Sequence, residues 1–476
     1  MPETLNIVAG NAAMGFDPLN SLTGPVMQIA YFTSGRLMDL SPEGDAGVFE
    51  LAEALEESED RMSWTATLRS GLKFSDGSPI TGADVVASFE YAQANSGPTG
   101  KFAIYDVIDK VVASSDTEIV FHVKQPNSLI PYLLADTGST IYPASGLAQG
   151  DSFFLKPISA GPYKMDAFDE VSGKTELSVN ENYWGTAPKI KKIVYTVVAD
   201  STTRLAQLTS GGAQIALDFP PAMYSQITGD VRALESPSFG AANWFVFSDE
   251  SPITGDKKVR HALNLAIDRE QIISVANGGL GSPNNGIPWV QEDLLSSQTP
   301  IKRNVDEAKK LLVGTPCESG CTLRVLQPVS DAQPTNQIAL VLQQQLKEIG
   351  IDMQIMNTPG AQIVEALQKP GTFDAYNSAA AVGNPAPATI ALMEVDPAAD
   401  IFSSYELHYT SPKMGELVKQ IVSAPAEETP AIAAQINALF EEDLPYLSMI
   451  ATPQLFASTL ADSVVTVTYD GRLILP

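Results

Sequence analysis

Residues 322–355 read TLRVLQPVSDAQPTNQIALVLQQQLKEIGIDMQI, and this stretch decides the class of fold. The pattern predicts a strand over 322–326 and a helix over 335–349, whose apolar side chains recur at helical spacing. Gly350 ends the helix, and residues 351–355 alternate apolar and polar side chains as the next strand. A strand, a helix and a strand at this spacing predict a βαβ unit and a parallel sheet.

Working outward, the chain divides into two α/β bodies. Residues 40–155 have the pattern of a self-contained α+β subdomain, with a helix predicted over 82–95 behind a capping box. Near the carboxyl terminus a strand alternates with no helix after it, so we expect it to return to the first body. We therefore predict one lobe over 1–245, which includes the subdomain and the returning segment 453–476, and a second lobe over 246–452.

The charge balance limits the partners of the protein. The 476 residues carry 29 Lys and Arg against 56 Asp and Glu, a net charge of −27, and 44% of them are hydrophobic. Such a surface repels nucleic acid and anionic membranes, so we expect neither as a partner. The charge serves solubility, in a salty habitat for example, or it favours cationic or neutral ligands. No apolar run reaches the length of a membrane helix.

Two sequence features bear on whether the protein is exported: the amino-terminal segment and the two cysteines. The chain opens on MPETLNIV, which lacks the pattern of a signal peptide, so we expect the leader to be absent or removed. Cys317 and Cys321 bracket a short polar turn. A disulfide there would fit an oxidising compartment, whereas two free thiols would not require one. A zinc site is disfavoured because zinc takes four ligands and no histidine lies nearby.

Five segments, in this order, are very similar to the extracytoplasmic solute-binding proteins of ABC importers, in the peptide- and nickel-binding family (family 5). They are WTATLRSGLKFSDG at 64–77 with Thr81 and Asp84 beyond it, SAGPY at 159–163, NYWG at 182–185, TRL at 203–205, and VRHALNLAIDR at 259–269. These motifs supply turns, caps and core side chains, and they identify the fold rather than the ligand.

The resemblance implies an α/β periplasmic-binding-protein fold of two lobes joined by a hinge, the first lobe enlarged by the α+β subdomain. It implies a monomer in the periplasm or on the outer face of the cell membrane, with no cofactor. The ligand would be captured between the closing lobes and passed to the transmembrane subunits of an ABC permease. The open interfaces of α/β sheets are the usual positions of such pockets.

Catalytic signatures are missing from the sequence. It has no Gly-x-Ser-x-Gly or His-Glu-x-x-His motif, and its three histidines, His122, His261 and His408, lie far apart. One imidazole without neighbours holds a metal poorly. We therefore expect no enzyme and no metal. A secreted or periplasmic hydrolase and a sensor uncoupled from a permease remain the alternatives.

Aromatic walls with a few amides suit an enclosed, mostly apolar pocket. On that basis we predict that ligand-binding residues occupy loops and strand ends in both halves of the chain. The candidates are Met14, Gly15, Phe16, Tyr31, Trp244, Asn284, Asn285, Tyr376, Asn377, Asn384 and Tyr405.

One loop bears on the identity of the ligand. Dipeptide-binding members of the family are expected to hold the ligand's free ammonium with an aspartate in the loop after residue 375. Here Ala380, Gly383 and Ala386 occupy the aligned positions of a tryptophan and two acids, and no acid occurs from 375 to 393. A buried ammonium without a carboxylate is strongly disfavoured. We therefore expect a larger or neutral ligand: a modified or longer peptide, an opine-like conjugate or an oligosaccharide.

Overall fold

The structure, a computed structural model, consists of two compact units. The first unit comprises Met1–Phe219, Gln226–Pro237 and Leu455–Pro476, and the second comprises Pro220–Ser225 and Ser238–Gln454. The residues described are 2–13, 15–19, 24–42, 44–95, 105, 107–217, 219–236, 241–329, 335–369, 371–380, 385–397, 409–468 and 471–475.

A seven-stranded sheet forms the core of the first unit, in the order β12-β19-β11-β1-β10-β9-β8. Its strands are β1 (Thr4–Ala9), β8 (Tyr163–Phe168), β9 (Thr175–Val179), β10 (Lys192–Val197), β11 (Ile215–Ala216), β12 (Arg232–Glu235) and β19 (Leu455–Ser458). The helices of this unit include α1 (Gly24–Thr33) and α5 (Ser201–Thr209). Central β1 runs parallel to both neighbours, β10 and β11.

The stretch predicted as an α+β subdomain contains its own four-stranded antiparallel sheet. The order is β4-β5-β7-β6, with β4 (Ala52–Glu57), β5 (Ser63–Leu68), β6 (Ile108–Ala113) and β7 (Glu118–Val123). Helix α2 (Gly82–Asn95) begins where predicted, because Asp84 Oδ2 accepts hydrogen bonds from the Thr81 N–H at 3.0 Å and from its hydroxyl at 2.9 Å.

Smaller elements complete the first unit. Two pairs of short strands are antiparallel, β2 with β3 and β20 with β21. These elements are β2 (Met38–Leu40), β3 (Ala46–Phe49), β20 (Thr466–Val467) and β21 (Leu473–Ile474), together with the one-turn helices α3 (Ile130–Leu133) and α4 (Ala144–Leu147).

The second unit is built on a six-stranded sheet in the order β14-β18-β13-β17-β15-β16. Its strands are β13 (Ala241–Phe247), β14 (Ser282–Pro283), β15 (Cys321–Val329), β16 (Ile351–Pro359), β17 (Ala375–Ala380) and β18 (Tyr446–Thr452). Its helices are α6 (Lys257–Ala266), α7 (Arg269–Ala276), α8 (Glu292–Ser296), α9 (Val305–Leu311), α10 (Thr335–Lys347), α11 (Gly360–Leu367), α12 (Pro387–Glu394), α13 (Pro412–Ser423) and α14 (Thr429–Asp443).

The predicted βαβ unit is confirmed. Strand β15 pairs with β16 in parallel from Cys321 opposite Ile351 to Val329 opposite Pro359, and α10 connects them. Gly350 ends the connection with a φ of +83°, in the left-handed region that glycine enters without strain. The Asn304 side chain caps α9 by accepting from the Glu307 N–H at 3.0 Å.

The division between the units differs from the prediction at the end of the first lobe. We predicted the boundary at residue 245, but β13 begins at Ala241 and pairs along its length with β17 and β18 of the second unit. The pairing of β13 therefore places residues 241–245 in the second unit. At the carboxyl terminus, the strand of the main sheet is β19 at Leu455–Ser458, earlier than the alternating segment near residue 466 suggested.

Cys317 and Cys321 are joined by a disulfide, with their Cα atoms 4.8 Å apart. The bridge closes the turn that leads from α9 into β15. Among the helices in the described ranges, none is both long enough and apolar enough to cross a membrane.

A buried carboxylate fixes the start of the parallel strands in the second unit. The Asp374 side chain is fully buried, and Arg324 donates to it through Nε at 3.0 Å and Nη2 at 2.9 Å. The Arg324 N–H donates to Oδ2 at 2.7 Å, and the Ser251 hydroxyl donates to Oδ1 at 2.8 Å. Burial acts to raise the pKa of Asp374, but the hydrogen bonds from Arg324 and Ser251 outweigh it and hold the pKa below its ordinary value.

A second buried ionic cluster ties the carboxyl terminus to the first unit. Arg36 pairs with Asp39 at 3.1 Å and with Glu50 at 3.4 Å, and Arg472 pairs with Asp39. Both guanidinium groups also lie over the ring of Tyr31, at 5.6 and 5.1 Å from its centroid. Burial raises the pKa of Glu50 to about 7, although Arg36 acts to lower it. Asp39 lies between two guanidinium groups, which hold its pKa below the ordinary value despite burial.

Replacing Asp374 is predicted to destabilise the protein strongly. Asp374→Asn removes the charge facing Arg324 and one acceptor of a buried network, so we expect the free energy of unfolding to fall by about 3 kcal/mol. The free energy of unfolding obtained from the second unit's transition in urea measures this loss. The matched control is Glu365→Gln, which breaks an exposed pair with Lys369 and should cost less than about 0.5 kcal/mol. Equal losses in the two variants would contradict the role assigned to Asp374.

Glu50 is predicted to make stability depend on pH. Because the pKa of Glu50 in the folded protein, about 7, lies above its ordinary value of 4.5, folding is favoured by its proton below pH 4.5. That contribution is lost as the pH rises through about 7. Glu50→Gln should therefore lose less stability than the wild type between pH 5 and pH 8, which melting temperatures across that range measure.

The matched control for this titration is Glu57→Gln, which alters an exposed pair with Arg61 and removes one carboxylate of the same charge. Its melting temperature should follow the pH dependence of the wild type. A Glu50→Gln curve that ran parallel to the wild-type curve would mean that Glu50 does not take up a proton in this range.

Candidate functional site

The carboxyl ends of three parallel strands meet at one edge of the sheet in the second unit. Strand β15 lies between β17 and β16 and is parallel to both. The chain leaves β15 toward β16, then returns from β16 across β15 to β17. The strand that follows β17 is β18, on the other side of β17 from β15, so the connections after β15 and β17 leave in opposite directions. In open α/β sheets, ligands bind in the crevice that such a reversal creates beyond the carboxyl ends.

Three amide side chains cross the sheet near this edge on adjacent strands: Asn243 on β13, Asn377 on β17 and Gln327 on β15. We call them the polar row. Their exposed fractions are 1%, 0% and 0%. Asn377 Nδ2 donates to Gln327 Oε1, and Gln327 Nε2 donates to the Pro328 carbonyl at 2.9 Å. Asn377 and Gln327 are therefore held to one another.

Asn243 lies on the same face of the sheet as the rest of the polar row. Its register partner on β17 is Ala379, two residues beyond Asn377, and residues two apart on a strand share a face. Such diagonal neighbours are about 7–8 Å apart. Neither Oδ1 nor Nδ2 of Asn243 has a hydrogen-bond partner within the described part of the chain. A buried amide left in this state is unfavourable, so Asn243 calls for a partner beyond the residues that the structure describes.

Trp244 and Tyr376 lie on the opposite face of the same strands. Tyr376 is paired with Val246, two residues beyond Trp244, so the two aromatic side chains share a face. The Trp244 ring is 2% exposed, is 5.8 Å from the ring of Tyr446, and has no hydrogen-bond partner at Nε1 among the described residues. Of the predicted candidates, Trp244, Tyr376 and Asn377 are thus brought onto adjacent strands, but on two faces.

Asn284 and Asn285 are neighbours in sequence but contact different parts of the second unit. Asn284 is 2% exposed, and its N–H donates to the Met449 carbonyl on β18 at 3.0 Å. Its carbonyl accepts from Nε of Arg269 at 3.0 Å, and burial lowers the pKa of that arginine to about 10. Asn285 instead accepts from the Ile301 N–H at 3.1 Å.

Asn285 also lines a cleft of about 420 Å³ formed by α6, α9 and α14. Several polar groups of this cleft already have partners within the unit. Glu441 accepts from the Thr299 N–H at 3.0 Å, and Lys257 pairs with Asp443 at 2.9 Å. The cleft therefore presents fewer unsatisfied groups than the sheet edge at Asn243.

The candidates in the first unit follow the carboxyl end of β1. Gly15 has a φ of +149°. Phe16 is 3% exposed and packs edge-to-face on Phe168 at 4.8 Å, and its N–H donates to the Phe154 carbonyl at 2.9 Å. Its ring thus belongs to the core of the first unit. Tyr31 is held beneath Arg36 and Arg472 in the ionic cluster described above, so its ring is occupied by protein cations.

Three predicted site residues, Met14, Asn384 and Tyr405, lie outside the described residues, as does His408. Across the described ranges, no group of three or more His, Cys, Asp or Glu side chains is arranged to hold a metal ion. His261 on α6 contacts the Glu442 carbonyl through Nε2 at 3.0 Å.

Sequence reasoning missed Asn243 and Gln327. Each is a polar residue within a strand whose neighbours are apolar, which is a signal in itself because buried polar side chains require partners. The sequence could not indicate that both amide atoms of Asn243 lack a partner, since this depends on the register of β13 against β17 and β18.

Comparison with known proteins gives the following relatives. Residues 48–398 match the family model of bacterial extracellular solute-binding proteins, family 5 (middle). The glutathione-binding protein GsiB of Escherichia coli K12 is 29% identical over 330 residues, which cover 67% of this chain and 63% of that protein. This chain thus matches less than two thirds of the relative's length.

Solved structures of the same kind match over nearly the whole chain. The dipeptide-binding protein from Pseudoalteromonas sp. SM9913 in complex with Met-Leu has a TM-score of 0.83 at 21% identity, over 99% of this chain and 98% of that one. AgaA from A. tumefaciens R10 in complex with agropinic acid has a TM-score of 0.79 at 22% identity, over 96% and 93%. At these identities the match establishes the fold, the α/β fold of the two-lobed periplasmic binding proteins.

The family model covers most of the chain, and the solved structures agree with it in fold. The chain belongs to family 5 of the bacterial extracellular solute-binding proteins.

Proposed function

We propose that this protein is the extracytoplasmic solute-binding component of an ABC importer. It captures a small organic ligand and delivers the ligand to the transmembrane subunits of a permease. Membership of family 5 supports this proposal most strongly. The hinge closure that it requires is a common conformational change of periplasmic binding proteins.

We place the ligand of the second unit at the carboxyl edge of β15 and β17. The observation that carries this placement is the unsatisfied amide of Asn243 at that edge, where 1% of the residue is exposed. A ligand that binds at this edge forms hydrogen bonds with the Asn243 amide. A dry, polar site of this kind gives specificity through hydrogen bonds.

The ligand is peptide-like or another small organic compound. Relatives are named for glutathione, and solved neighbours hold Met-Leu and agropinic acid. For this chain, the lack of acids from 375 to 393 supports a ligand without a free ammonium at that loop. A modified or longer peptide, an opine-like conjugate and an oligosaccharide satisfy this condition.

The protein acts in the periplasm or on the outer face of the membrane, as a carrier without catalytic activity. The disulfide between Cys317 and Cys321 supports an oxidising compartment. A hydrolase of the same compartment is the rival function, and the assay below separates the two because a hydrolase would consume its ligand.

Ligand binding is predicted to stabilise and compact the protein. The purified protein is offered pools of free-amine di- and tripeptides, N-acetylated tri- to pentapeptide amides, opine-type conjugates and oligosaccharides, and retained compounds are identified by mass spectrometry. A retained compound at a hundredfold excess over its Kd should stabilise the folded state by about 2.7 kcal/mol. The melting temperature should rise, and X-ray scattering should give a smaller radius of gyration.

A compound that the pools do not retain serves as the negative control in both measurements. Chemical turnover of a pool compound would favour the hydrolase. Retention of a compound that changes neither the melting temperature nor the radius of gyration would contradict a carrier that closes on its ligand.

A further inference from the structure

We propose that Asn243 binds the backbone of one residue within an extended, peptide-like ligand, accepting from its N–H and donating to its C=O. This inference rests on the proposed function and specifies its ligand class. It begins from the two atoms of the Asn243 side chain, Oδ1 and Nδ2, neither of which has a partner in the described part of the chain.

The burial of Asn243 makes those two atoms informative. At 1% exposure, the amide has given up its contacts with bulk water. An amide transferred from water without new hydrogen bonds is disfavoured, and buried polar groups in folded proteins nearly always have partners. The other two members of the polar row each take part in a hydrogen bond within the row, from Asn377 Nδ2 to Gln327 Oε1. Asn243 is the member of the row for which neither side-chain atom has a partner within the described residues, so a ligand can supply one.

The position of Asn243 identifies where that partner lies. Asn243 is opposite Ala379 near the carboxyl end of β17, and opposite Ile450 on β18. Its backbone is therefore engaged in the sheet on both sides, and only the side chain remains for a ligand. This row lies near the carboxyl ends of β15 and β17, where open α/β sheets bind their ligands.

The chemistry of the amide identifies the ligand group. An asparagine side chain offers one acceptor and one donor side by side in a plane. In an extended peptide, the N–H and C=O of the same residue point to the same side, as the exchanged pairs of an antiparallel sheet require. One ligand residue can therefore satisfy both atoms of Asn243 at once. A charged group can satisfy only one of them, because an ammonium has no acceptor and a carboxylate has no donor.

The neighbouring sequence agrees with a neutral group at this position. No acid occurs between 375 and 393, in and after β17, so the strand that pairs with Asn243 contributes no negative charge to hold an ammonium. An internal residue of a longer or amino-blocked peptide fits these conditions. The free amino terminus of a dipeptide does not.

The test compares variants of two buried asparagines in the second unit. Asn243→Ala should weaken binding of the N-acetylated peptide amide retained most tightly from the pool by about 10- to 100-fold, since two hydrogen bonds to a buried group are lost. The melting temperature of the ligand-free variant should stay close to that of the wild type, because Asn243 gives up no bond within the chain.

Asn437 provides the matched control. It is 3% exposed, accepts from Trp289 Nε1 at 2.8 Å, and donates to the Ser297 hydroxyl at 2.7 Å. Asn437→Ala should lower the melting temperature of the ligand-free protein and leave the Kd for the same peptide unchanged. The two variants are thus expected to have opposite effects on stability and affinity.

A second measurement changes the peptide instead of the protein and compares the wild type with Asn243→Ala. Each backbone N–H of the retained peptide is replaced in turn by an ester oxygen, which removes one donor. One position should lose about tenfold in affinity on the wild type. On Asn243→Ala the same ester should lose nothing further, because the two changes remove one shared contact.

The outcomes separate this inference from the proposed function. If the wild type retains only oligosaccharides or opine-type conjugates, or if Asn243→Ala binds the peptide with a Kd within twofold of the wild type, the inference is overturned and the carrier function stands. If no pool yields a retained compound, the carrier function fails, and the inference fails with it.

Discussion

The second unit depends on the buried carboxylate of Asp374. It accepts hydrogen bonds from Nε, Nη2 and the backbone N–H of Arg324 and from the hydroxyl of Ser251. This contact joins Arg324 within β15 to the residue that precedes β17 and so fixes the register of the two parallel strands where β17 begins. With this register, the carboxyl ends of β15 and β17, at Val329 and Ala380, lie at the same edge of the sheet. The polar row is placed at that edge by the same register.

The two ends of these strands differ in how their polar groups are satisfied. At the amino end, every acceptor of Asp374 has a donor from the chain, and the result is stability. Toward the carboxyl end, Asn377 donates to Gln327, while both side-chain atoms of Asn243 lack a partner among the described residues. Buried polar groups without partners cost free energy, and a ligand is one source of the missing partner. A fold that is fully satisfied at one end and unsatisfied at the other is suited to binding.

The sequence predicts the architecture well because periodicity and capping are local. The βαβ unit around α10, the caps at Thr81 and Asn304, and the family all follow from short segments. The predicted boundary at residue 245 falls inside β13. That strand belongs to the second unit because it pairs with β17 and β18, which are distant in sequence, and local patterns do not indicate such pairing. The site is harder to predict for the same reason. Phe16 lies in the loop after β1, and Asn243 lies within β13. Only tertiary contacts place the Phe16 ring in the core and leave the Asn243 amide without a partner among the described residues.

The central claim is that the ligand binds at the carboxyl edge of the second unit's sheet. Amide hydrogen exchange, measured by mass spectrometry with and without a retained compound, tests it most directly. Binding at this edge should slow exchange in peptides that contain the ends of β15 and β17 and the start of β13, with little change in α6, α9 and α14. Protection confined to the cleft between α6, α9 and α14, with the strand ends unchanged, would contradict it.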